Sequence, residues 1–150
     1  MQFLGNIEAK IDAKARVFVP ATFRKILQSA GQNSFIIRKD IFQKCLVLYP
    51  LPIWDEELAK LRSRLGRWDK QQQQLFRQFV TDADKLDIDT NGRILIPKRY
   101  LQMTDITSDV IFLGIDNTIE IWTKEALEAT MIPADSFGEQ IQNLMNNDND

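Results

Sequence analysis

The chain has 150 residues, 44% apolar and 27% charged, with a net charge of −2 and no histidine. That composition is ordinary for a globular chain, and no apolar run approaches the roughly 18 residues that a membrane helix needs. Without histidine the commonest general base, the commonest metal ligand and every histidine-dependent triad are missing, so no catalytic residues, no metal site and no cofactor are expected.

From the N-terminus, MQFLGNIEAKID has no basic region leading into an apolar stretch. It reads as no export signal, and the cytoplasm is the expected compartment. Phe3-Leu4-Gly5 is a short apolar start, followed by a polar connection up to Lys10. Asp12 to Arg16 reads as a tight turn. Val17-Phe18-Val19, an apolar run between a turn and a proline, suits a strand buried on both faces. Pro20 opens a helix, where a missing N–H costs nothing. Phe23, Ile26 and Leu27 form its apolar face, Arg24 and Lys25 the opposite side, and Gly31 lies past its end.

Phe35-Ile36-Ile37 and Leu46-Val47-Leu48-Tyr49 are predicted strands, with polar residues between them. Cys45, alone in the chain, has no disulfide partner and reads as a small buried apolar residue. Trp54, Leu58, Leu61 and Leu65 recur at spacings of 4, 3 and 4, the mark of an amphipathic helix. Gly66 interrupts it, Asp69 is placed to cap a second helix, and Leu75, Phe76 and Phe79 share its face. The two form a helical hairpin. Ile94-Leu95-Ile96 is again a buried strand, and Pro97 starts a helix with Tyr100, Leu101 and Met103. Val110 to Leu113 and Ile119 to Trp122 are the last strands, and Thr123 caps a helix ending near Thr130. Beyond Pro133 the chain is rich in Asn, Asp and Gln, and a disordered acidic tail is predicted.

This order contains a repeat. AKIDAKARVFVP at 9–20 returns as LDIDTNGRILIP at 86–97, with Asp12 matching Asp89, Arg16 matching Arg93 and Pro20 matching Pro97. Asn91-Gly92 is a strong turn signal, because glycine tolerates the positive φ such turns need. Each turn brings an aspartate beside an arginine, so the carboxylate orients the guanidinium. Arg16, Arg93, Lys14 and Asn91 are side-chain types that suit DNA phosphates and base edges. The charge distribution agrees. All six acids after Lys124 lie in a stretch with no Lys or Arg, and removing them leaves 15 acidic against 19 basic residues. Asp87 and Asp89 alternate as a hydrolase's paired carboxylates do, but no nucleophile, base or metal set accompanies them.

The chain resembles the MraZ family of bacterial transcriptional regulators. The residues that carry the resemblance are Phe3-Leu4-Gly5, Ile11 to Arg16, PATFR at 20–24, Leu48-Tyr49-Pro50 with Trp54, Leu86 to Asp89, Gly92 to Pro97 and Ile119 to Trp122. They reach from the N-terminus to near residue 130. The resemblance implies a mixed α/β, mainly β fold: two intertwined AbrB-like (SpoVT/AbrB) swapped-hairpin units in one barrel-like core, with connecting and flanking helices. The expected boundaries are 3–52 for the first repeat, 53–80 for the helical connection, 81–124 for the second repeat and 125–150 for a helix and acidic tail. It further implies a nucleoid-associated repressor of the division and cell-wall gene cluster. Such a protein binds short direct repeats in promoter DNA as a ring-shaped homo-oligomer. Arg16 and Arg93 face the DNA, with Lys14 and Asn91 beside them and Asp12, Asp89 and Gly92 shaping the loops. The family usually has glycine where this chain has Ala15. The alternative is an AbrB-like antitoxin or interaction module that uses the acidic tail to hold a protein partner.

Overall fold

The computed structural model describes residues 1–147. Their strands are β1 (Asn6–Lys10), β2 (Arg16–Phe18), β3 (Ser34–Lys39), β4 (Leu46–Pro50), β5 (Asp84–Asp87), β6 (Arg93–Leu95), β7 (Asp109–Ile115) and β8 (Thr118–Trp122). Their helices are α1 (Ala21–Ser29), α2 (Leu51–Arg64), α3 (Lys70–Thr81), α4 (Lys98–Thr104), α5 (Lys124–Thr130) and α6 (Ala134–Asn146). The described strands form a six-stranded antiparallel sheet, ordered β1-β7-β8-β4-β3-β5, and a separate antiparallel ribbon of β2 and β6.

The sheet order reads the same from either end once the halves are exchanged, so a pseudo-two-fold axis passes between β4 and β8. Each half lends its first strand to the other: β1 lies on β7, and β5 lies on β3. The Leu46↔Ile121 and Leu48↔Ile119 pairs then fuse the halves at the centre. One apolar core results, drawing Phe3, Phe23, Phe35 and Leu48 from the first half and Ile94, Tyr100, Phe112 and Ile119 from the second. Neither half encloses this core alone, because its strand partners belong to the other. The barrel implied by the resemblance is not closed by hydrogen bonds among the described residues, since β1 and β5 end the sheet.

Two local expectations are corrected. Residues 6–10 form an edge strand rather than a polar connection, because their partner β7 stands about a hundred residues downstream and their exposure alternates. The runs at 17–19 and 94–96 are not buried on both faces. Val17, Val19, Ile94 and Ile96 are buried, but Phe18 and Leu95 are 56% and 57% exposed. A two-stranded antiparallel ribbon has one face on the core and one in solvent.

Pro20 and Pro97 sit just before the first helical residues, and their carbonyls accept the first helical bonds, from Arg24 and Tyr100 among others. Asp69 caps α3 by accepting from the Gln72 amide at 3.0 Å, and Thr123 caps α5 through Ala126 at 3.1 Å. The α2–α3 hairpin docks through aromatic rings. Trp54 stacks on Phe79 at 5.4 Å and meets Tyr49 edge-on at 5.2 Å. Arg38, itself buried, donates from Nε to the Phe79 carbonyl at 2.8 Å. The segment expected to be disordered is helical over Ala134–Asn146, with every side chain exposed. Phe137, Ile141 and Leu144 recur at spacings of 4 and 3, an apolar stripe that favours helix despite the polar residues around it. The tail's last acids, Asp148 and Asp150, lie outside the described residues.

Candidate nucleic-acid interface

The two Asp-x-x-x-Arg loops have nearly the same geometry. In the first, Oδ1 of Asp12 accepts the amides of Lys14 and Arg16, both at 2.9 Å, and Oδ2 accepts Nε of Arg16 at 3.0 Å. In the second, Oδ1 of Asp89 accepts the amides of Asn91 and Arg93, both at 2.9 Å, and Oδ2 accepts Nε of Arg93 at 3.1 Å. The backbone repeats the match. The Asp12 amide donates to the Arg16 carbonyl at 2.9 Å, and the Asp89 amide to that of Arg93 at 2.8 Å. A three-residue hairpin loop of this kind combines a type I turn with a bulge residue at positive φ. That residue is Ala15 (φ 65°) in one loop and Gly92 (φ 87°) in the other.

The ribbon joins the loops. Arg16 lies opposite Leu95, and Phe18 opposite Arg93. Outside this ladder the Val19 amide donates to Gly92 O and the Ile96 amide to Ala15 O, both at 2.9 Å, so each loop is pinned by the other half's strand. Val17 and Ile94 face the core, so Arg16, Phe18, Arg93 and Leu95 all stand on the outer face. The arginines occupy one diagonal of the ribbon, a spacing of roughly 7–8 Å along the backbone and somewhat less between Cβ atoms.

Each aspartate holds its arginine by Nε alone. Among the described residues the Nη groups of Arg16 and Arg93 have no hydrogen-bond partner, so two pre-oriented guanidinium ends remain for an anion or a base edge. Both carboxyls are held below the usual aspartate range. The strongest cause is the arginine's own amide; desolvation pushes the other way, and the Lys14 or Asn91 amide and the guanidinium add to the lowering. Lys14 and Asn91 are exposed at the loop tips and anchored only by their backbone amides. The alternating carboxylates form no pair: Asp87 accepts from Ser34 Oγ at 2.6 Å, while Asp89 is committed to its loop.

The comparisons with known proteins cover the whole of this architecture. A family model described as "MraZ protein, putative antitoxin-like" matches residues 2–78 and again 79–143. The chain belongs to the MraZ family. A protein named Transcriptional regulator MraZ from Bacteroides thetaiotaomicron is 54% identical over 149 residues, covering 99% of this chain and 96% of its own. One of the same name from Bacteroides fragilis is 56% identical over 145 residues, at 97% and 92% coverage. A more distant one, from Thermoanaerobacter sp., is 39% identical over 125 residues, at 83% of each chain. The boundary between the two MraZ matches, at 78/79, falls within α3.

Two features of this MraZ chain were not read from its sequence. Arg24, placed on the outer side of α1 by periodicity, turns back to the second loop. Its Nε donates to Val19 O at 2.9 Å, and its guanidinium lies across Gly92, where a Cβ would stand 2.5 Å from Nη1. The matching position in the other half is Leu101, whose side chain carries no charge to lay over the first loop. The other is the pair Phe18 and Leu95, whose outward position follows only from the ribbon's register. The Arg93 guanidinium lies 5.8 Å from the centre of the Phe18 ring, at the edge of cation–π range.

Proposed function

We propose that this chain is a DNA-binding transcriptional regulator without catalytic activity, and that the outer face of the β2–β6 ribbon with its two loops is the DNA-contacting surface. The supporting observation is the pair of aspartate-locked arginines on one face, each with Nη groups that have no hydrogen-bond partner among the described residues. Arg16 and Arg93 take phosphate or guanine contacts, while Lys14 and Asn91 at the loop tips add a phosphate contact and a polar contact. Asp12, Asp89 and Gly92 set the geometry and make no DNA contact. The names carried by the relatives agree with this role.

The finer part follows the family resemblance: a cytoplasmic, nucleoid-associated repressor of the division and cell-wall gene cluster, binding promoter direct repeats as a ring-shaped homo-oligomer. A single ribbon offers few contacts, so affinity comes from several protomers engaging repeated sites, a linkage worth roughly 10²–10⁴. The test is selection of genomic fragments by the purified protein across a salt series. Recovery of one short direct repeat, with affinity falling steeply as salt rises, is expected. Random fragments held only at low salt contradict sequence-specific regulation.

One observation favours a second role beside it. The exposed apolar stripe of α6 and the acids around it suit a protein partner, as in the antitoxin reading. Removing residues 134–150 separates the two: DNA binding is expected to survive, and its loss assigns the segment to the DNA-binding assembly.

A further inference from the structure

Given DNA binding by the ribbon as proposed above, we infer that Phe18 and Leu95 read thymine C5-methyl groups, making this chain's interface an apolar pair set between two arginines. Val17 and Ile94 between them are 1% exposed, while Phe18 and Leu95 are 56% and 57% exposed. The register places each large apolar side chain directly opposite an arginine of the other strand. The outer face thus alternates cation, apolar, cation, apolar around the pseudo-two-fold. Because both guanidinium groups present Nη ends there with no partner among the described residues, the partner this face fits is anionic.

DNA satisfies both demands at once. A two-stranded ribbon fits the major groove, where thymine alone presents a methyl group beside acceptor atoms that arginine reads. β-Ribbons are an established means of entering that groove. Arginines seated on phosphates or guanine edges bring Phe18 and Leu95 down onto the neighbouring base pairs. The Arg93 guanidinium over the Phe18 ring couples the two kinds of contact. Phe18 and Leu95 therefore determine which thymines are accepted, while Arg16 and Arg93 carry most of the affinity.

The duplex recovered by genomic selection with the parent protein serves as probe, synthesised once with thymine and once with deoxyuridine, which lacks only the methyl. The parent protein is expected to bind the thymine duplex about fourfold more tightly per contacted methyl, or ~15-fold for two, from the burial energy of one carbon group. Phe18→Ala and Leu95→Ala should each lose part of that discrimination, and the double variant all of it. Their dependence on salt should stay that of the parent, because no phosphate contact is removed. Equal binding of both duplexes by the parent protein overturns the proposal, and that measurement needs no variant to fold. So does full discrimination in the double variant, a recovered site whose footprint contains no thymine, or a change of oligomeric state in Phe18→Ala, which assigns the apolar pair to a protein interface. If the parent protein selects no duplex at all, DNA binding itself fails, and this proposal with it.

Discussion

Replacing Gly92 by alanine and Ala15 by glycine should move stability in opposite directions, although the two positions are equivalent in the repeat. At Gly92 the backbone stands at φ 87°, which costs an alanine about 1–2 kcal/mol. The new Cβ would also stand 2.5 Å from Nη1 and 2.8 Å from Cζ of Arg24. The guanidinium can withdraw, but only by giving up its bond to the Val19 carbonyl, a charged hydrogen bond worth about 1.5–3 kcal/mol. The stiffer unfolded chain returns about 0.4–1 kcal/mol. The net expectation for Gly92→Ala is a loss of about 2–4 kcal/mol. For Ala15→Gly the strain is relieved and no clash is involved, so a gain of about 0.5–1 kcal/mol remains. Urea titrations followed by tryptophan fluorescence measure both as midpoint shifts at constant slope. In an Arg24→Ala background the clash disappears, and Gly92→Ala should cost only about 1 kcal/mol, a coupling the double-mutant cycle reads directly. A neutral Gly92→Ala, or the same cost with and without Arg24, refutes the assignment of Arg24 as the cover of the second loop.

Acid should release the loops. The Asp12 and Asp89 carboxyls lie below their unfolded values, so their stabilisation is complete above the unfolded aspartate pKa and is lost as pH falls through the lower folded one. Asp12→Asn with Asp89→Asn should therefore flatten the acid limb of a stability profile, below the ordinary aspartate pKa. Trp54→Ala removes the ring between Tyr49 and Phe79 and should cost about 3–5 kcal/mol in urea titration, with loss of near-ultraviolet circular dichroism. Cys45 is fully buried and its thiol is pushed well above its ordinary pKa, chiefly by desolvation. A thiol reagent at pH 8 should label it only at the rate of unfolding, and immediate labelling of the native protein contradicts the burial.

The parts of this fold that were legible in the sequence are those that local chemistry decides. The Asp12 and Asp89 loops, the Asp69 and Thr123 caps and the proline-led helices depend on residues within four positions of one another. The lending of β1 to β7 and of β5 to β3 depends on partners far away in the chain, and neither strand carries a continuous apolar run. Residues 17–19 and 94–96 are apolar throughout, so their exposed middle positions became visible only when the ribbon was seen to have a single buried face. Periodicity placed Arg24 on the solvent side of α1, and its side chain is long enough to fold back over Gly92. In α6 a largely polar composition surrounds the regular apolar stripe of Phe137, Ile141 and Leu144, so composition points to disorder while periodicity points to helix.

The central claim, that the aspartate-locked arginines hold DNA, is tested most directly by fluorescence anisotropy of the selected duplex with Arg93→Ala and Arg16→Ala. Circular dichroism and light scattering would verify fold and assembly in the same samples. Each variant is expected to lose roughly 5–150-fold in affinity per engaged site, the worth of one good base contact, with a shallower dependence on salt. An Arg93→Ala protein that is folded, assembled like its parent and binds the duplex as tightly would contradict the account.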